Sequence, residues 1–256
     1  MKILIIICIL FSVSCGVSTP KKEYKYKAIT QALLNHTQTE ERYGKLIYQK
    51  DSYAWYASDY ITEKNLLKKE MNIEGWIVDL SSENPFVVFM SMENNTPISK
   101  LIVHPSESGS VHYLPETTNP RHISMFKARA KAIETTDRMC NGRYNTAVIE
   151  DGENWIVYLL VAPFKENTLF AGGNYKITIN KNSFDVIENK PLSKTCFALP
   201  VQTEIESWPM MTHLVESTPN AVHSFLSLQN DLTYYVLTDT GPWKISNGEI
   251  TFIEGE

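Results

Sequence analysis

No stretch of this sequence is long and apolar enough to stand as a lasting transmembrane helix, and no block of basic residues marks it for a polyanion. The most apolar unbroken run near the start, Ile3 to Phe11, is about nine residues, against the roughly 20 that cross a bilayer. With a formal net charge of -5, the chain repels phosphate backbones, so nucleic acid is not an expected partner. The common catalytic motifs are missing as well. There is no Gly-x-Ser-x-Gly elbow and no His-Glu-x-x-His pair, and Gly172-Gly173 lacks the further glycines and following helix of a phosphate cradle. What is present is an ordinary globular balance, 43% hydrophobic and 21% charged over 256 residues. That is enough apolar mass for one large core or two modest ones, and too much for a disordered chain.

The first residues carry an address. Lys2 supplies a positive start, Ile3 to Phe11 an apolar core, and Ser12-Val13-Ser14-Cys15 a small-residue exit, the order of a secretory signal. Two cuts fit. Ser12-x-Ser14 satisfies ordinary signal peptidase, which would release a soluble periplasmic or secreted protein. Val13-Ser14-Cys15-Gly16 resembles a bacterial lipobox, although Ser12 stands where that family usually has Leu. The resemblance implies that residues 1–14 are removed and Cys15 is acylated as the new N-terminus. With Gly16 rather than Asp next, it also implies a lipid anchor in the outer membrane, facing the periplasm. Val17 to Lys27, with Pro20 and Lys21, Lys22, Lys25 and Lys27, completes a tether over 15–27, an extended spacer able to rest on anionic headgroups.

Cysteine usage agrees with export. Cys8 lies in the signal core and Cys15 in the lipobox, which leaves Cys140 and Cys196. An even pair in an oxidising compartment predicts a disulfide. Closing so long a loop removes unfolded-chain entropy worth roughly 4 kcal/mol.

Hydrophobic periodicity divides the remainder into a region over 28–104, a polar loop or linker over 105–118, and a second region over 119–256. In the first, residues 28–43 have helical spacing and Gly44 offers a stop. Strand-like runs follow at Lys45–Gln49 and Tyr53–Ala57, then a helix capped by Asp59 and running to about Met71. Trp76–Leu80, Phe86–Met92 and Ile98–His104 read as strands. In the second region Asn119-Pro120 opens a helix whose apolar face is Ile123, Phe126, Ala130 and Ile133. Strands follow at Tyr144–Ile149, Trp155–Ala162 (apolar throughout, hence buried on both faces), Tyr175–Asn180 and Phe184–Glu188. The tail adds Met211–Glu216, Ala221–Leu228, Thr233–Thr238 and a hairpin around Asn247-Gly248.

Helices followed by strand meanders predict an α+β fold, antiparallel sheets each packed by one or two helices. In its order of elements and its Tyr-x-Ile-x-Ile hairpin, the segment 119–188, about a quarter of the chain, resembles PepSY-like and cystatin-like envelope modules. Those families bind or inhibit partners, often proteases or hydrolases.

Candidate chemistry is sparse. His104, His112 and His122 lie near Glu107 and Glu116, but their gaps do not match the tight pairing of metal ligands, so no metal or other cofactor is expected. Ser108-Gly109-Ser110 beside His112 reads as loop, and no catalytic residue is nominated. The aromatic cluster Tyr48, Tyr53, Trp55 and Tyr56 is the candidate binding surface, with packing within a sheet as its competing role. The expectation is a non-enzymatic envelope lipoprotein that binds a protein partner or cell-wall component. Its sharpest form is an inhibitor or immunity protein against a periplasmic hydrolase. A structural or assembly factor of the envelope is one alternative. The other is a hydrolase assembled from scattered residues such as His104 or His112.

Overall fold

The residues that the sequence divides among a helix, two strands and a second helix form one 33-residue helix, α1 (Gln31–Glu63). A computed structural model describes residues 25–106, 109–162, 168–200 and 209–254. The leader with Cys8 and Cys15, the tether as far as residue 24, and Glu107 and Ser108 lie outside the described residues. Thr30 caps α1, its hydroxyl accepting from the Leu33 amide at 3.3 Å. The buried positions Thr37, Glu40, Tyr43, Gly44, Ile47, Lys50, Ala54, Ala57 and Ile61 advance by threes and fours apart from the adjacent Tyr43 and Gly44, so they form one stripe. Gly44 does not stop the helix. A Cβ there would lie 2.4 Å from the Ser224 Cβ, so the glycine admits a neighbouring helix, and that close packing offsets its propensity penalty of about 1 kcal/mol.

A 3-10 turn (Lys69–Met71) leads into an antiparallel meander, β1 (Gly75–Asp79), β2 (Phe86–Glu93), β3 (Thr96–His104) and β4 (Val111–Tyr113), hydrogen-bonded in that order. The short strand β4 thus falls within the segment read from sequence as loop. Next comes α2 (Pro120–Thr135), capped by the Asn119 side chain, which accepts from the Arg121 amide at 2.8 Å. The second sheet follows, with β5 (Tyr144–Asp151), β6 (Asn154–Val161), β8 (Tyr175–Asn180) and β9 (Val186–Pro191) in the order β5-β6-β8-β9. Between its strands, β7 (Thr168–Leu169) pairs with β10 (Leu199–Pro200). Strand β11 (Met210–Thr212), helix α3 (Ala221–Asn230) and strands β12 (Tyr234–Thr238), β13 (Gly241–Ser246) and β14 (Glu249–Phe252) complete the chain, the third sheet running β11-β12-β13-β14 with β11 parallel to β12. The fold is α+β, its sheets dominated by antiparallel pairs. A helix followed by a strand meander occurs three times.

Ala221–Leu228 is helical, not a strand. Asn220 accepts from the helix's first turn while the His223 Nδ1 accepts from the Asn220 amide at 3.0 Å, a reciprocal cap. The face of α2 also differs from expectation. His122, Met125, Phe126, Ala128 and Ala132 are buried, whereas Ala130 is exposed. The cause is that α2 covers two sheets at once. Its side chains join Ile77, Val88, Met90 and Ile102 of the first sheet and Val148, Trp155, Val157 and Ile177 of the second in one core. Helix α1 lies on the opposite faces. Tyr43 and Ile47 meet Ile156 and Tyr158 of the second sheet, α3 and Trp243 of the third sheet. Ala54, Ala57 and Ile61 meet Val87, Phe89 and Leu101 of the first. As the sequence indicates, β6 is buried along nearly its whole length. Among the described residues no helix is long and apolar enough to cross a membrane.

Cys140 and Cys196 form the expected disulfide, their Cα atoms 5.3 Å apart. Gly173 (φ +90°) makes room for it, since a Cβ there would stand 2.2 Å from the Cys140 Sγ. We expect Cys140→Ser, made together with Cys196→Ser, to lower unfolding free energy by about 2–4 kcal/mol in urea titrations. Gly173→Ala should slow oxidation of the pair in a refolding assay.

Candidate functional site

Two openings flank the buried stripe of α1. Tyr48, Ser52, Tyr53 and Tyr56 line the first, and Asp51, Trp55 and Ser58 the second. On the first side the helix, the β1–β2 turn and the end of β3 enclose an open cleft of about 920 Å³, lined among others by Tyr48, Tyr53, Tyr56, Asn84, Pro85 and His104. Three of the four aromatic residues singled out from the sequence therefore share one cleft. Trp55 does not. It is 54% exposed and stands at the second opening with Asp51 and Trp76.

The cleft wall continues along β4, the outermost strand of its sheet. Val111 (62% exposed), Tyr113 and Leu114 (65%) turn apolar surface outward there. Two contacts hold this wall. The Tyr60 hydroxyl is 3.0 Å from the His112 Nδ1, which ties β4 to α1. The His104 ring stacks on Tyr113, with centroids 5.8 Å apart.

The three histidines considered for metal binding do not converge. Phe86 contacts both His104 (5.1 Å between centroids) and His122 (5.5 Å), while His112 is engaged by Tyr60. Among the described residues no three His, Cys, Asp or Glu side chains gather on a metal-sized point.

A charged cluster that the sequence gives no sign of lies under the first sheet. Its members come from elements far apart in the chain. Asp79, at the end of β1, is buried, and its Oδ2 lies 3.1 Å from the His122 Nε2 and 3.5 Å from the Arg121 Nε of α2. Burial alone would raise the Asp79 carboxyl, but hydrogen bonds from His122 and Ser81 and the charge of Arg121 outweigh it and hold the carboxyl well below the usual range. From α1, the Lys50 Nζ donates to the Val78 carbonyl at 2.6 Å. Arg121 continues to Glu150 of β5, and Lys181 joins Glu150 at 2.5 Å. The cluster thus ties α1, β1, α2 and β5 together, and Arg121 also covers the Trp155 ring at 5.2 Å. None of it lines the cleft, so it positions the walls without entering the opening.

A second buried network fixes the N-terminal half of α1. The Glu40 Oε1 accepts from the Lys176 Nζ at 2.7 Å and its Oε2 from the Ala221 amide at 2.8 Å, so one carboxylate serves β8 and the first turn of α3.

No family model matches this chain, and no curated protein or solved structure is significantly similar to it.

Lys50 offers a direct check on the charged cluster. Burial depresses its amine from 10.5 to about 8, with Asp79 opposing the shift and Arg121 adding to it. Between those values the unfolded chain holds more protons than the folded one, so stability rises with pH across the window. Above about 10 the trend is opposed by buried tyrosines such as Tyr43, whose hydroxyl is pushed up to about 12 chiefly by burial. From pH 8 to pH 10 we expect a gain of roughly 2 kcal/mol in urea unfolding. Lys50→Met should abolish that rise.

Proposed function

We propose that this chain is a non-enzymatic binding module of the bacterial cell envelope, anchored through a lipid on Cys15, that engages a protein partner with the tyrosine cleft between α1 and β4. The observation that carries this reading is the concentration of exposed aromatic and apolar side chains at the cleft. Tyr48 and Tyr56 on the helix face the same opening as Val111, and Tyr113 and Leu114 extend the surface beside it. Exposed aromatic and apolar side chains concentrated in this way mark an interaction site in a folded chain. Tyrosine gives large, rigid contact area with a polar tip, the side chain most enriched with Trp and Arg at energetic centres of interfaces.

The shape of the rim supports a protein as the occupant. β4 is an edge strand, so its outward backbone groups are placed to pair with an extended segment laid along it, while the tyrosines receive that segment's side chains. Export to an oxidising compartment is supported by the leader composition and by the Cys140–Cys196 bond. Within this reading the most specific role is that of an inhibitor or immunity protein that neutralises a hydrolase in the periplasm.

The test is affinity purification of the tagged mature chain from detergent-solubilised envelopes, followed by an assay of the recovered partner's hydrolytic activity with and without the chain. One stoichiometric hydrolase, inhibited by the wild type, is expected. Tyr56→Ala combined with Tyr48→Ala should weaken capture by about tenfold or more at unchanged thermal midpoint. Undiminished capture by the double variant would remove the cleft from the interface.

A further inference from the structure

We propose that the second opening on α1, beside Asp51 and Trp55, is a saccharide subsite that takes a hexopyranose bearing an acetamido group. It lies on the other side of the α1 stripe from the tyrosine cleft, and does not depend on that cleft's function.

The opening has two adjoining parts. One is a recess of about 230 Å³, of monosaccharide size, lined among others by Asp51, Trp55, Asn145, Gln229 and Asn230. The other is a niche of about 130 Å³ between Trp55 and Trp76, floored by Ala54, Ala147 and Leu160. Four elements converge here: α1 brings Asp51 and Trp55, β1 brings Trp76, β5 brings Asn145, and α3 brings Gln229 and Asn230.

The carboxyl of Asp51 anchors the site. It accepts from the Gln229 Nε2 at 3.2 Å, and Trp55 and Asn145 line the recess with it. Burial pushes its titration upward against the polar groups around it. No lysine or arginine is found among the described residues lining either part, so this partly buried carboxyl is held by neutral groups alone. Trp55 stands one helical turn after Asp51 at the same opening, and about half of the residue is open to solvent. A flat, half-exposed ring beside a carboxyl is a platform for the C–H face of a pyranose, whose hydroxyls then reach the polar groups at its rim.

An organic cation would also meet a carboxylate and an aromatic ring. The rest of the lining separates the two ligands. The side chains of Asn145, Gln229 and Asn230 each carry both donors and an acceptor, which matches hydroxyls that donate and accept in turn. A cation accepts no hydrogen bond and so makes no use of the second N–H of Gln229 and of Asn230, whose first N–H groups are given to Asp51 and to the Leu226 carbonyl. The niche gives the substituent. It is too small for a second ring, apolar at its floor and edged by Asn145, which suits an acetamido group, its methyl toward Ala147 and Leu160 and its amide toward Asn145.

The test is isothermal titration calorimetry of the purified chain, with saturation-transfer NMR, against N-acetylglucosamine, glucose and tetramethylammonium as separate probes. We expect saturable binding of N-acetylglucosamine at millimolar concentration, with glucose about tenfold weaker for want of the acetamido group. Trp55→Ala and Asp51→Asn should each weaken N-acetylglucosamine about tenfold while keeping the wild-type thermal midpoint. Trp55→Phe should retain most of the binding. The proposal is overturned by an absence of saturable binding, by undiminished affinity in Trp55→Ala, by equal affinity for glucose, or by a response to tetramethylammonium alone, which would assign the opening to a cation.

Discussion

Along α1 a single stripe of side chains has to serve three sheets. Its first half, Tyr43 and Ile47, is buried against the second sheet, α3 and the third sheet, and its second half, Ala54, Ala57 and Ile61, against the first sheet. A helix under that demand cannot be apolar all along the stripe. The polar members have assigned partners elsewhere in the chain. Glu40 accepts from Lys176 and from the start of α3, and Lys50 donates to the carbonyl of Val78. Each is a buried charged group whose counterpart comes from a distant segment. Removing the Lys176 ammonium would leave the Glu40 carboxylate desolvated without its counter-charge, at a cost of about 3–5 kcal/mol. Both openings follow from this arrangement, because they lie along the two borders of the buried stripe.

The same feature limited what the sequence disclosed. In the longer strands, alternation and turn residues were sufficient, whereas the short β4, β7 and β10 carried too few residues to show a period. Asn247-Gly248 marked the β13–β14 turn, the apolar run from Trp155 marked a central strand, and Tyr175, Ile177 and Ile179 alternated as observed. Over α1 the helical period was present but hidden. Thr37, Glu40 and Lys50 occupy stripe positions, so the apolar residues alone do not show a sustained period, and Gly44 and the β-favouring tyrosines point away from helix. Tertiary packing overrode both local signals, through the approach of Ser224 to Gly44 and the burial of Tyr43 and Ile47. Ala221–Leu228 failed for a related reason. It is buried nearly all round, so it lacks the amphipathic period, and the Asn220 cap that starts the helix was not read from the sequence.

The functional surfaces were legible as composition and not as geometry. The tyrosine and tryptophan cluster was evident, but its division between two openings depends on what packs beside the helix. Helical phase sets Tyr53 and Tyr56 apart from Trp55, whereas Tyr48 lies two turns before Trp55 on nearly the same bearing and lines the cleft with the β1–β2 turn and the end of β3. The Asp79–His122–Arg121–Lys50 cluster had no local signal, since its members lie on three elements and no short-range spacing joins them. Cysteine pairing needed no geometry, because only two cysteines were left once the leader was set aside.

The first sheet stands or falls with the other two, if α1 is the shared element that these contacts indicate. Native-state hydrogen exchange followed through increasing denaturant tests this most directly, comparing the central strands β2, β6 and β13. One common opening free energy for all three, falling with a single denaturant dependence, is the expected result. Opening of β2 at distinctly lower free energy, with β6 and β13 still protected, would contradict it and leave two independent halves joined by a passive helix.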